Sequence, residues 1–462
     1  MARRQRIAIL GGGPGGYEAA LVAAQFGAEV TLVERDGLGG AAVRTDCVPS
    51  KALVATAAAM SQIRSAATLG VHAVQPGFSA ADMNRRIVAL ALAQSHDVRL
   101  GLERAGVRII LGEGRLHGPQ RLLVRTAVGT GQERTEELTA DVVLLATGAR
   151  PRMLPGIVPD GERILTWTQL YGLRELPAHL VVVGSGVTGA EFACAYLSLG
   201  SRVTLVSSRD HVLPTEDEDA ALVVEKVFRR SGGVVKPQSR AVAVQRTGDG
   251  VVVQLADGGE VTGSHALVAI GAVPNTDGLG FAEAGVRLDD RGFIEVDRVS
   301  RTAAANVYAA GDCTGVLMLA SVAAMQGRIA MWHALGETVA PLDLGVVAAT
   351  VFTQPEIATV GDRSGQECVQ LPLATNARAK MEVIEDGFIK LFARAGTVVG
   401  GVVCSPHASE LIHPITIAVA ERLTVDRLAQ IFTVYPSLSG SVAEAARRLH
   451  SRGDGQHERS KS

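Results

Sequence analysis

The chain carries one glycine fingerprint twice, and this duplication constrains its fold more than any other feature. Residues 7–36 read IAILGGGPGGYEAALVAAQFGAEVTLVERD, with Gly11, Gly13 and Gly16 spaced G-x-G-x-x-G and Pro14 and Gly15 between them. Residues 181–210 read VVVGSGVTGAEFACAYLSLGSRVTLVSSRD, with Gly184, Gly186 and Gly189 around Val187 and Thr188. At an offset of 173 residues Glu18 falls on Glu191, Gly27 on Gly200 and Glu34 on Ser207. Each copy has an apolar strand, a glycine turn, a small-residue helix and a second strand, the context a dinucleotide site requires. The first glycine permits the turn, the second lets backbone approach a pyrophosphate, and the third lets helix and strand pack closely. The helix N-terminus supplies positive dipole to the phosphates. One such motif is weak evidence, but two in register point to two nucleotides and to electrons passing between them.

The residue closing each second strand reads the adenosine ribose. Glu34 suits a 2′-hydroxyl and repels a 2′-phosphate, so the first site fits FAD or NAD. Ser207, Ser208 and Arg209 offer no acid, and a serine pair beside an arginine accommodates a 2′-phosphate without excluding a hydroxyl. The second site is expected to take NADPH and NADH.

The 462 residues suggest about three domains. A net charge of −2 gives no reason to expect nucleic acid or anionic membrane as partners. No apolar stretch is long enough to span a bilayer, and MARRQR runs into the first strand without the pattern of a signal peptide. The five cysteines, 47, 194, 313, 368 and 404, form no CxxC, which fits a reducing cytoplasm. No His or Cys spacing suggests a metal site.

The chain divides into residues 1–150, 151–275, 276–345 and 346–450, followed by a polar stretch, 451–462, expected to be disordered. Residues 1–150 close on DVVLLATGARPR, where Ala146, Thr147 and Gly148 bring backbone close to a ligand, and 151–275 close on the similar ALVAIGAVPNT around Gly271. In NVYAAGDCTG an apolar strand runs into Asp312, which needs hydroxyl or amide partners if buried. From 346 strands followed by amphipathic helices predict an α+β domain whose apolar helices serve a dimer interface or a private core. The fold class is α/β, with two Rossmann-like nucleotide domains and a C-terminal α+β dimerisation domain.

With GGGPGG, GLGGAAVRTDCVPSK, ATG, GSGVTGAE, AAGDC, FTQPEIATVG and NARAK in place, residues 5–450 resemble the pyridine-nucleotide disulfide oxidoreductases, which include lipoamide dehydrogenase, glutathione reductase and mercuric reductase. The resemblance implies FAD in the first site, held also by Gly40, Ala41, Gly114 and Ala320, a nicotinamide nucleotide in the second, and a homodimer. It implies that Lys51 and Glu191 pair beside the flavin and frame the nicotinamide, the lysine favouring an anionic reduced flavin. Glu18, at the matching place in the first copy, leaves open that Glu191 is only a helix-start residue favoured by the dipole.

The chain leaves that family's pattern twice. The family carries GGxCxxxxCxPSK; here Cys47 stands in the flavin-facing position and Ala42 replaces its partner, and one thiol cannot cycle through an intramolecular disulfide. The family's terminal His-Pro-Thr-x-x-Glu becomes Tyr435-Pro436-Ser437-Leu438-Ser439-Gly440. A tyrosine with pKa about 10 is a poor proton acceptor at neutral pH. Cys47 is either a thiolate over the flavin or a small apolar relic, and without a partner the relic reading is preferred for turnover.

The remaining machinery passes hydride from NAD(P)H to FAD and onward to a small oxidant. A quinone fits, with Ala42 and Gly440 vacating volume and the Tyr435 hydroxyl available to a quinone oxygen. The chain is similar to an actinobacterial branch of NAD(P)H:quinone reductases. The rivals are a soluble pyridine nucleotide transhydrogenase, whose members keep the first redox cysteine and lose the second, and a non-enzymatic redox-sensing flavoprotein.

Overall fold

The computed structural model describes residues 4–72, 77–128, 132–365 and 367–459. The duplication seen in the fingerprints extends through two whole sheets. In the first, strands run in the order Val307–Ala309, Val142–Leu145, Arg6–Leu10, Glu29–Glu34 and Arg108–Leu111, all parallel. In the second the matching order is Ile164–Thr166, His265–Val268, His179–Val183, Arg202–Val206 and Val234–Lys236, again all parallel. The pairing of Arg6 with Glu29 recurs as His179 with Arg202, so the repeat is kept at the level of register. These strands are near-continuous apolar runs because both faces are covered: in the first sheet Ile7, Ile9 and Leu32 pack on helices, and Ala8, Leu10 and Val33 pack on Leu116, Leu122 and Val124 of an antiparallel sheet. One outer strand breaks the symmetry of chain order: Val307–Ala309 arrives late, whereas Ile164–Thr166 comes first.

Each parallel sheet carries a three-stranded antiparallel partner, Glu113–Leu116, Arg121–Val128 and Gln132–Thr139 in one and Ala241–Thr247, Gly250–Leu255 and Glu260–Gly263 in the other. The two look-alike exits of the sequence, ATGARP and AIGAVP, pair with each other, Ala149 to Pro274 through Pro151 to Ala272. Asn275 secures this crossing by donating from its backbone N to Gly148 O at 3.0 Å and from Nδ2 to Thr147 O at 3.0 Å.

The C-terminal unit is a five-stranded antiparallel sheet in the order Ala349–Val351, Glu356–Gly361, Thr397–Ser405, Phe388–Arg394 and Glu367–Pro372. Ile415, Ala418, Val425, Leu428, Val442, Ala446 and Leu449 from its helices share one buried cluster with Ile389, Leu391 and Val403 of the strands. These helices therefore have a private core. The stretch from 451 continues the helix Gly440–Arg459 up to Arg459, and residues 460–462 lie outside the described residues. This unit is tied to the second nucleotide unit by Lys390, which is 7 % exposed and donates to Asp217 at 2.8 and 2.9 Å and to Asp219 at 2.7 Å. A buried lysine needs such neutralisation, because an unpaired charge there is strongly unfavourable. Among the described residues no helix is long and apolar enough to cross a membrane.

Candidate functional site

The three glycines of each fingerprint are required for three different reasons, and the reasons agree between copies. Gly11 and Gly184 have φ of +107° and +111°, and a Cβ on them would lie 2.1 Å from Ala146 O and 2.2 Å from Ala269 O. A Cβ on Gly13 would meet only Gly40 Cα at 3.9 Å, and one on Gly186 would meet nothing within 4 Å. That open space lies over the N-termini of helices Pro14–Gln25 and Val187–Leu199, which have no side-chain cap and no acid in the first turn. Their first N–H groups are left for an anion. The third glycines are closed off: a Cβ on Gly16 or Gly189 would fall 1.9 Å from the carbonyl oxygen of Gly11 or Gly184. Gly15 packs against Ala310 and Ala323, and a Cβ on Gly327 would come within 2.1 Å of Gly15 O, so helices Pro14–Gln25 and Ala320–Ala334 touch through backbone.

Glu34 is 7 % exposed and accepts from three backbone N–H groups, Gly12 at 2.6 Å, Asp36 at 2.6 Å and Gly37 at 3.0 Å. A carboxylate offers about four acceptor positions, so one remains for a ribose hydroxyl. At the matching place Ser207 is fully buried and its Oγ lies 2.7 Å from Ser185 Oγ, Ser185 being the counterpart of Gly12. Ser207 also accepts from Arg209 N at 3.1 Å. Of the three residues expected at a 2′-phosphate, Ser207 is turned into its own turn, whereas Ser208 and Arg209 are exposed.

The other residues expected at the cofactors lie on several elements. A Cβ on Gly40, whose φ is +57°, would lie 2.7 Å from Gly13 Cα, which sets the short helix Gly40–Arg44 with Ala41 against the fingerprint. Ala146, Thr147 and Gly148 leave the strand Val142–Leu145 beside Gly11. Gly271 lies on the crossing of the two units, where its carbonyl accepts from Arg152 N at 2.9 Å. Asp312 follows the strand Val307–Ala309, and burial pushes its carboxyl up. Ala320 begins an uncapped helix. Gly114 packs on Leu10 and Val33, which accounts for it structurally.

Between the two units Lys51 Nζ lies 2.9 Å from Glu191 Oε2. The other oxygen, Oε1, accepts from Phe352 N at 2.8 Å, and the Phe352 ring lies 4.7 Å from the ammonium. Glu191 is 4 % exposed. Glu18, at the same helix position in the first copy, pairs with Arg328 at 2.8 Å. The two glutamates thus share a helical position but not a role, since only Glu191 bridges the units. Phe352 was not singled out from sequence, although it lies in the motif FTQPEIATVG.

Cys47 opens the helix Cys47–Ser65 and is exposed, and all five cysteines are free. Surrounding protein pushes its thiol up to about 11, with Asp46, Glu191 and Asp312 adding to the rise and Lys51 opposing it. At neutral pH it is a thiol, so the helix start does not activate it. Burial likewise raises Cys194 and Cys313 to about 12 and about 11, as expected of packing residues. Tyr435 is 86 % exposed, Phe432 is fully exposed, and Gly440 starts the terminal helix.

Two dinucleotide folds joined by an ion pair, with a third unit behind them, define a flavin- and nicotinamide-dependent oxidoreductase. The chain belongs to the pyridine nucleotide-disulphide oxidoreductase family, whose model matches residues 5–327 and whose dimerisation domain matches residues 347–446. It is 54 % identical to an NAD(P)H dehydrogenase (quinone) of Mycobacterium tuberculosis, over 97 % of this chain and 94 % of the relative. A dihydrolipoyl dehydrogenase of Zymomonas mobilis is 33 % identical over 98 % of this chain and 99 % of its own. Its fold is similar to the crystal structure of LpdA from Mycobacterium tuberculosis, with TM-score 0.90 and 54 % identity over 96 % of this chain and 99 % of that one. Members of the family use FAD and NAD(P)H, and the Glu34 cradle and open glycine turn fit FAD in the first site.

Proposed function

We propose that the chain is an FAD-dependent NAD(P)H:quinone oxidoreductase without dithiol activity. The observation that carries this reading is the intact Lys51–Glu191 pair beside a Cys47 whose partner position is Ala42. FAD, when bound, supplies the chemistry that takes a hydride from the nicotinamide and passes two electrons to the acceptor. Gly11, Gly13, Glu34 and the N-terminus of helix Pro14–Gln25 hold it, and Gly186 with Ser208 and Arg209 holds NADPH or NADH. Glu191 orients the Lys51 ammonium, and the Phe352 backbone fixes the carboxylate in turn. In a cytoplasmic homodimer the exposed Tyr435 is presented to the second copy, where its hydroxyl meets a quinone oxygen. The name of the Mycobacterium tuberculosis relative supports the same acceptor class.

Steady-state assays of the purified protein with NADH and NADPH against menadione, lipoamide and glutathione disulfide test this. Menadione is expected to turn over with both nucleotides, their efficiencies lying within about a hundredfold, or about 3 kcal/mol. Lipoamide turnover matching that of menadione would overturn the reading. Cys47→Ser is expected to keep most of the menadione activity. A loss beyond about tenfold, or about 1.4 kcal/mol, with FAD still bound would show that the thiol takes part.

A further inference from the structure

Three units meet at the Lys51–Glu191 pair. Lys51 comes from helix Cys47–Ser65 of the first nucleotide unit and Glu191 from helix Val187–Leu199 of the second. Phe352 comes from the C-terminal unit, directly after its strand Ala349–Val351. It meets both charges with different parts of itself. Its N–H donates to Glu191 Oε1 at 2.8 Å, and its ring centroid lies 4.7 Å from Lys51 Nζ, inside the ~6 Å over which a ring face attracts a cation. Two residues on, Gln354 grips the same two helices again. Its Nε2 donates to Ser61 Oγ at 3.0 Å, and its Oε1 accepts from Ser198 Oγ at 3.1 Å. Between them Thr353 is buried, and its hydroxyl donates to Pro355 O at 2.7 Å. The backbone that carries the Phe352 ring is therefore fixed on both sides. Lys51 is less confined, with its side chain 33 % exposed. A single bond to Glu191 Oε2 lets an ammonium pivot about the carboxylate, so a second contact decides where the charge stands.

We propose that Phe352 is a positioning residue for flavin reduction, its ring face holding the Lys51 ammonium in place while its N–H holds the carboxylate that pairs with it. The assignment rests on the reading that this pair lies beside the flavin. A cation fixed there favours the anionic reduced flavin over the neutral oxidised one, and it does so most when it need not be reorganised as the charge develops. An ammonium that wanders to solvent gives up that effect, which lowers the flavin potential and slows hydride transfer. The negative face of the ring supplies the attraction, so the hold depends on the ring's electrons and not only on its bulk. The residue that sets the pair thus belongs to the C-terminal unit, outside both nucleotide folds.

Replacing Phe352 by mono-, di- and trifluorinated phenylalanine withdraws electrons from the ring face and keeps the backbone N–H and nearly the same shape. Two quantities are measured on the FAD-loaded protein, with no acceptor present. One is the flavin midpoint potential, by equilibration with a redox dye. The other is the limiting rate of anaerobic flavin reduction at saturating NADPH, which separates rate from nucleotide affinity. Both are expected to fall stepwise with fluorination, the rate by about fivefold across the series, with the half-saturating NADPH concentration little changed. Phe352→Leu removes the ring altogether and should slow reduction about tenfold. Should it fail to retain FAD, the fluorinated series carries the test. In a Lys51→Met background the series should be flat, because no cation remains for the ring to hold. Wild-type potential and rate in the trifluorinated protein, or a trend that persists without Lys51, overturns the proposal and leaves Phe352 a space-filling residue. A wild-type potential in Lys51→Met itself overturns the placement of the pair beside the flavin, and the assignment with it.

Discussion

Glu191→Ala is expected to slow reduction of the bound flavin by NAD(P)H by about a hundredfold or more, the scale seen when one preorganised electrostatic group is removed from a reacting centre. Glu191 is almost fully buried and satisfies two partners at once, the Lys51 ammonium at 2.9 Å and the Phe352 N–H at 2.8 Å. Its loss frees the ammonium to swing towards solvent and leaves the Phe352 N–H without an acceptor, at about 1–3 kcal/mol. Glu191→Gln keeps an acceptor for Phe352 while removing the charge, so it should lie between wild type and Glu191→Ala. The converse change, Lys51→Met, strands a buried carboxylate. For a fully buried pair that costs about 3–5 kcal/mol, and less here because Lys51 is one-third exposed. Anaerobic rapid mixing that follows flavin bleaching checks the rates. Wild-type bleaching in Glu191→Ala would reduce the pair to a structural bridge between the units, leaving Glu191 no different in kind from Glu18.

Gly16→Ala and Gly189→Ala should separate the two nucleotides cleanly. In both, the new methyl would fall 1.9 Å from a backbone oxygen, and no flexible side chain is available to yield. The turn must open or the helix must shift, which costs about 1–3 kcal/mol or more where neighbours are rigid. Gly16→Ala is expected to give protein that retains little FAD. Gly189→Ala is expected to retain FAD and to raise the KM for NADH and NADPH, because the strained turn cradles their pyrophosphate. Flavin content after gel filtration, followed by nucleotide titration, gives the result. Loss of FAD from Gly189→Ala with normal retention in Gly16→Ala would reverse the assignment of sites.

Much of this architecture could be read from residue order because it is local. A glycine that must leave a strand at positive φ and a glycine that must not carry a methyl are constraints within a few residues of chain. They recur wherever the same turn recurs, and the offset of 173 residues exposes them. The absence of the second redox cysteine is likewise a fact of spacing. That Ser207 bonds within its own turn to Ser185 and Arg209 could not be read from residue order, because those bonds depend on how the two strand ends meet. Phe352 was passed over because its contribution is a backbone N–H, which has no pattern along the chain.

The order of residues settled the two-nucleotide fold and showed Cys47 as the single cysteine of the segment GLGGAAVRTDCVPSK. Tertiary structure alone decided what each charge does. Glu18 and Glu191 are indistinguishable by local sequence, yet one meets Arg328 and the other meets Lys51 across the junction of two units. Cys47 stands at a helix start beside a lysine, and still its thiol is raised, because desolvation, the adjacent Asp46 and two carboxyls brought from other elements, Glu191 and Asp312, outweigh one ammonium. Charges act through space rather than along the chain, so their balance exists only once the fold has brought them together.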